Sequence, residues 1–199
     1  MTWQEARRYN MALTINHQTN DISATSGSVT IDGAAAGGGA WTTVSSYSST
    51  SDAVNTFSSL SGYDVYKLFI AVNVNGSATG TPYLRVNNDS GSNYGFARAF
   101  SDQGGQYLDA GSSSATSIQL NPTGSPNVAA MQYEVTVTNL HEAEPTVFYV
   151  HYSHFSGTSD FDRGVVGGTH KTATSYNNFE FYLGHPTLSY KVILLGASV

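Results

Sequence analysis

Two histidines three apart, His151 and His154 in the run HYSH, are the first candidates for chemistry, because imidazole is a common metal ligand. On a strand, positions three apart point to opposite faces, so this pair does not close on one ion. The expectation is two partly exposed strand histidines. Carboxylate pairs come next. Asp160 with Asp162, and Glu142 with Glu144, are each two apart and could share a strand face. Glycoside hydrolysis uses two carboxyls about 5–10 Å apart across a cleft. Both pairs lie among Ser, Thr and Pro, where a solvated acid is the ordinary outcome. Asp89, Asp160 and Asp162 could offer loop oxygens to Ca²⁺, but no D-x-D-x-D-G loop is present. The nucleophile-elbow pattern G-x-S-x-G is missing, and Gly37-Gly38-Gly39 belongs to no phosphate-binding GxxxxGK[ST]. No catalytic residue, metal ligand or cofactor is assigned.

The ligand signal lies in an aromatic-polar stretch. Tyr94, Phe96, Phe100 and Tyr107 are interleaved with Arg98, Asp102, Gln103 and Gln106. Sugars stack apolar faces on aromatics, while amides, carboxylates and Arg take the hydroxyls. The candidate glycan-binding set is Tyr94, Arg98, Asp102, Gln106 and Tyr107, in a stretch read as loop-rich. The alternative is that these aromatics are sandwich core or subunit interface.

The elements that must position these residues are strands. Charged residues are only 11% of the chain, against the usual quarter, and polarity comes from Ser, Thr, Asn and Gly. Those residues suit strand surfaces and tight turns rather than helices. The net charge is −6, and no Lys or Arg occurs between Arg8 and Lys67. A phosphate-tracking groove needs clustered cations, so nucleic acid and anionic membrane surfaces are disfavoured partners. There is no apolar run long enough to span a membrane, and the start MTWQEARRYN lacks the apolar stretch of a signal peptide. With zero Cys, disulfides and thiolate metal sites are excluded.

Residues 2–10 are the one expected helix, with Thr2 and Glu5 in capping-box spacing. Trp3 is expected to bury against another subunit. Residues 12–32 alternate short β-prone runs with turn residues. Leu13 with Ile15, and Val29 with Ile31, each point to one strand face. This stretch has too few large apolar residues for its own core and is read as an assembly arm that packs on a neighbouring chain or on the main domain. Residues 33–40, GAAAGGGA, are read as a flexible linker. The main domain is expected from Trp41 to the end, with strands at 41–48, 53–60, 63–74, 82–88, 94–100, 115–120, 128–138, 146–154, 163–171, 177–183 and 188–195. The near-continuous apolar runs Leu68 to Val72 and Val192 to Leu195 suggest strands central to a packed sandwich. Many short strands without intervening helices imply an all-β antiparallel sandwich, jelly-roll-like, with an extended N-terminal arm.

Several of these segments resemble a module recurrent in virion proteins of marine and other environmental tailed phages. They are WTTVS at 41–45, YDVYKLFI at 63–70, YLRVNNDSGSNY at 83–94, NFEFYLG at 178–184 and YKVILLG at 190–196. The leading ALTINHQTNDISATSGSVTIDG is similar to the low-complexity arms that precede such modules. The resemblance covers residues 12–199, more weakly between about 100 and 130. It departs at the turn Asn87-Asn88-Asp89-Ser90, where Ser and a second Gly are usual, and at Leu195, where Tyr is common. The resemblance implies a non-enzymatic structural protein located in the virion, on its tail or capsid surface. The leading expectation is a tail-fibre or appendage component for host attachment; the alternatives are a capsid decoration protein and, third, a host-polysaccharide depolymerase. The implied partners are other virion proteins, two further copies in a homotrimer and a host-surface glycan.

Overall fold

A computed structural model describes residues 41–50, 54–74, 81–102, 104–120, 128–156, 160–183 and 188–198, with four short strands in the first forty residues. The chain divides into two units, Met1–Ala40 and Trp41–Val199. In the first unit, β1 (Leu13–Asn16) pairs antiparallel with β2 (Asp21–Ala24), and β3 (Thr30–Ile31) with β4 (Ala34–Ala35). Leu13, Ile15 and Ile31 therefore lie in strands. The start of the expected Gly/Ala linker is itself paired, since β4 falls within it. Trp3, Val29 and the expected helix at 2–10 lie outside the described residues.

The second unit is a sandwich of two antiparallel sheets. The large sheet contains β5 (Thr42–Ser49), β7 (Val65–Val74), β9 (Tyr94–Asp102), β10 (Gly105–Ala115), β12 (Val128–Thr138), β13 (Thr146–Ser156), β14 (Asp160–His170) and β16 (Leu188–Ala197). Their order is β10-β9-β14-β13-β12-β7-β16-β5. The small sheet, β11-β8-β15-β6, holds β6 (Val54–Phe57), β8 (Pro82–Val86), β11 (Ile118–Gln119) and β15 (Phe179–Leu183). The chain passes repeatedly from one sheet to the other, as in jelly rolls, but the two sheets are unequal in size.

Strand alternation builds the core. Tyr66, Leu68, Ile70 and Val72 of β7 face Phe179 and Phe181 of β15, with Val135, Phe148, Val150 and Leu194 beside them, all buried. Tyr66 stands edge-on to Phe179, ring centroids 6.3 Å apart. Its buried hydroxyl, with a pKa pushed up to about 12, donates to His141 Nε2 at 2.7 Å. His141 Nδ1–H in turn donates to the Tyr176 carbonyl at 2.8 Å. Tyr152 packs over Gly164 on the next strand, where a Cβ would come within 2.6 Å of the Tyr152 hydroxyl.

Three expectations are corrected by these contacts. The stretch after Gly105 is a strand, β10, hairpinned to β9. Its Gly- and Ser-rich sequence has low β propensity, but pairing along an edge supplies the hydrogen bonds that propensity does not. His154 is buried rather than partly exposed, and its Nε2–H donates to Asp162 Oδ2 at 2.5 Å on the facing strand. Asp162 is accordingly a sheet residue with a fixed partner, not a solvated turn acid. His151 points to the other face, as the three-residue spacing requires.

The turn between β8 and β9 is tied down in a similar way. Asp89 accepts hydrogen bonds from the Gly91 amide (2.7 Å), Asn93 Nδ2 (2.8 Å) and Nε2–H of the buried His170 (2.8 Å). Both carboxylate oxygens are thereby engaged within the fold. The hydrogen bond from His170, then that from Asn93, holds the Asp89 pKa down to about 2 from its ordinary 3.8. A depressed carboxyl contributes stability that is present above its unfolded pKa and lost as pH falls through the folded one. Between about pH 4 and pH 2 the native chain should therefore lose about 1–2 kcal/mol more stability than Asp89→Asn, allowing for partial exposure. Urea unfolding at stepped pH measures this, and parallel acid slopes for the two proteins would contradict it.

Candidate functional site

The outward face of the large sheet stands open. Its residues follow from alternation: where Leu68 and Ile70 point to the core, Lys67, Phe69 and Ala71 point away. Cross-strand register aligns these outward positions into two adjacent rows that run across the strands. One row is Ile193, Phe69, Glu134, His151, Val165 and Ala99, on β16, β7, β12, β13, β14 and β9. The other is Lys191, Ala71, Gln132, Ser153, Arg163 and Ser101 on the same strands, extended onto β10 by Gln106. A row that is apolar at its two ends, with Glu134 and His151 between them, thus lies beside a polar one. Together they floor a cleft of about 1120 Å³. With strands about 4.8 Å apart, the row from β16 to β10 extends about 29 Å.

The apolar side of this face is unusually exposed. Phe69 and Ile193 are 43% and 46% accessible, and Val147, Tyr149, Phe155 and Phe161 on the same face are similarly open. These exposed apolar side chains lie on both sides of the polar row and make the face a candidate interaction surface. The runs around Phe69 and Ile193 lie in interior strands of the large sheet, as their near-continuous apolar character suggests. The small sheet covers only the inward face, so the outward half of each run remains uncovered.

Charge is distributed unevenly. Lys67, Arg163 and Lys191 project from this face, whereas Glu134 is the one acid on the two rows. Glu134 is already engaged by Lys67 Nζ at 2.5 Å, and that ammonium lies 5.5 Å from the centre of the Trp41 ring. Arg163 Nε donates to Ser101 Oγ at 3.3 Å. Among the described residues neither Arg163 nor Lys191 forms an ion pair. The outer face of the small sheet differs. There Tyr83 stacks on Tyr182 at 5.0 Å with Arg85 over the Tyr182 ring, so its aromatics and cation satisfy one another.

Of the residues expected to bind a glycan, Gln106 lines the cleft at its β10 end, and Tyr107 borders it along the strand with its ring turned to the other face. Tyr107 stacks on Phe100 at 5.1 Å and remains 44% exposed. The other three are elsewhere. Tyr94 is wholly buried, with its hydroxyl accepting from the Val86 amide at 2.9 Å and donating to the Asp89 carbonyl at 3.0 Å. Arg98 is buried too, its guanidinium 5.3 Å from the Phe96 ring. Asp102 closes the β9–β10 turn, accepting from the amides of Gly104 (2.6 Å) and Gly105 (3.0 Å). Alternation explains the separation of Arg98 from the cleft: even positions of β9 face inward, and Ala99 and Ser101 face outward. Gln103 lies outside the described residues. The residues sequence reasoning missed, chiefly Phe69, Gln132, Arg163 and Lys191, come from strands far apart in the chain and share no motif.

Among the described residues, no three His, Asp or Glu side chains gather into a metal-binding group. Compared with known proteins, the chain matches no family model, no curated protein and no solved structure.

Proposed function

We propose that this chain is a non-enzymatic structural protein of a tailed-phage virion, a tail-fibre or appendage component that meets the host surface. The observation that carries the reading is the open face of the large sheet, with apolar, amide and cationic side chains in register on a rigid scaffold. A site built on strands is held more precisely than one on loops. The resemblance of the strand segments to phage virion modules supplies the biological setting. The first unit, Met1–Ala40, acts as the anchoring arm, and the sandwich presents its cleft outward. Three copies in a homotrimer would multiply a weak contact, since linked sites gain on the order of 10²–10⁴ in avidity.

Binding without turnover fits the lining better than hydrolysis. Glu134 is the one carboxylate among the described cleft residues and is already paired with Lys67, whereas carboxylate-based glycoside cleavage uses two. The same exposed apolar face also favours a second reading, a capsid decoration protein that buries it against shell subunits.

Electron microscopy of intact particles tests the assignment: density at the tail tips is expected, and density on the shell lattice would select decoration. Deletion of residues 1–40 should leave a folded, strand-rich sandwich that no longer enters particles. Normal incorporation of the shortened chain would refute the anchoring role.

A further inference from the structure

We infer that the cleft binds a polysaccharide whose carboxylates are sparse, separated by several neutral sugars. This rests on the attachment reading above and names the class of ligand. Three features lead to it. First, the cleft is cationic in an acidic protein: the net charge is −6, yet among the described residues the sheet face carries Lys67, Arg163 and Lys191 against Glu134 alone. With Lys67 and Glu134 neutralising one another, Arg163 and Lys191 remain to receive anions. Second, these two cations share one row but are four strands apart, on β14 and β16, or about 19 Å at the usual strand spacing. Between them lie Ala71, Gln132 and Ser153, which are uncharged, and two of which can hydrogen-bond hydroxyls. Third, the neighbouring row offers the flat Phe69 ring, with Ile193 beside it, to the carbon face of a sugar ring.

The charge spacing discriminates between polyanions. A nucleic acid strand carries a charge about every 3.4 Å, and its binding site would need cations along the whole row. A polymer with an acid only once in several sugars matches two cations separated by a neutral, hydrogen-bonding floor. Arg supplies a planar fork suited to a carboxylate, and Lys a mobile point charge. A second copy of this chain docked face to face would bring the Arg163 and Lys191 of both copies into one shared interface. Like charges across an interface oppose such pairing.

The test uses the full chain in biolayer interferometry against three immobilised polymers. These are deacylated gellan, with one uronate per tetrasaccharide repeat; dextran, which is neutral; and dextran sulfate, which is densely anionic. Gellan should bind, dextran should bind far more weakly, and dextran sulfate should show no advantage at moderate salt. Arg163→Gln and Lys191→Gln should each weaken gellan binding about tenfold, as loss of a charge-assisted hydrogen bond implies. Lys171→Gln removes the same charge from a residue bonded to the Ser92 and Ser113 carbonyls, away from the cleft, and should leave gellan binding unchanged. Thermal melting of each variant separates lost contact from lost fold. Equal binding of gellan and dextran, or binding indifferent to Arg163 and Lys191, would overturn the inference. So would preference for dextran sulfate. If particles carry the protein at the tail tip while these variants adsorb normally, the ligand class fails and the attachment reading stands. Density on the shell lattice would instead remove the attachment reading itself.

Discussion

Replacing Tyr94 with Ala is expected to lower the stability of the sandwich by about 3–5 kcal/mol, the usual range for truncating a buried aromatic. The ring is wholly buried and stands edge-on to His170 with centroids 4.8 Å apart. Its hydroxyl knits the end of β8 to the following turn through the Val86 amide and the Asp89 carbonyl. Burial raises the hydroxyl's pKa, so it remains a neutral donor and acceptor throughout the physiological range. Tyr94→Phe isolates that polar contribution. It keeps the ring but leaves the Val86 amide without its hydroxyl partner, a loss of about 1–3 kcal/mol. Tyr107→Ala supplies the contrast, because Tyr107 is half open to solvent and touches Phe100 on one side; its effect should stay within about 1 kcal/mol. Urea denaturation of the three variants reads these differences directly. Equal losses at Tyr94 and Tyr107 would mean that one of the two environments is misassigned.

Gly111→Ala should be comparably damaging, at about 2–4 kcal/mol, for reasons of backbone rather than core. Gly111 sits in β10 with φ of 65°, where the β9–β10 ladder shifts register between Asp109 and Ser112. A Cβ there would fall 1.9 Å from the Phe96 carbonyl oxygen, so the two strands must part. Gly62→Ala is the matched control. Its φ is 82° but no atom lies within 4 Å of the added Cβ, so it reports the conformational penalty alone, about 1 kcal/mol. Hydrogen exchange should show β10 losing protection in Gly111→Ala while β12 and β13 keep theirs. Because β10 carries Gln106 and Tyr107, the same variant should also weaken binding at that end of the cleft. Full protection of β10 would show that the ladder tolerates the side chain.

Much of the scaffold was legible from residue order. Alternation of Val135 and Val137 with Thr136 and Thr138 marked β12, and the apolar runs marked β7 and β16 as central strands. Turn residues such as Asp89-Ser90-Gly91 marked where strands end, because their side chains bond the local backbone. These are local properties, set by neighbours two to four residues away. β10 was not legible, since GQYLDAGSSSA has neither alternation nor propensity and becomes a strand only because β9 lies beside it.

The cleft belongs wholly to the tertiary level. Residue order placed Tyr94, Arg98 and Tyr107 together because they are close in sequence, but the pleat sends Arg98 inward and Ala99 outward, and burial takes Tyr94 into the core. Conversely, Phe69, Gln132, Arg163 and Lys191 meet because strand order and register bring them to one face. Alternation names two faces for every strand, and composition says that one must be buried. Only the packing of the smaller sheet decided which face of β7 and β16 was covered, and that choice left Phe69 and Ile193 in the open beside Arg163 and Lys191.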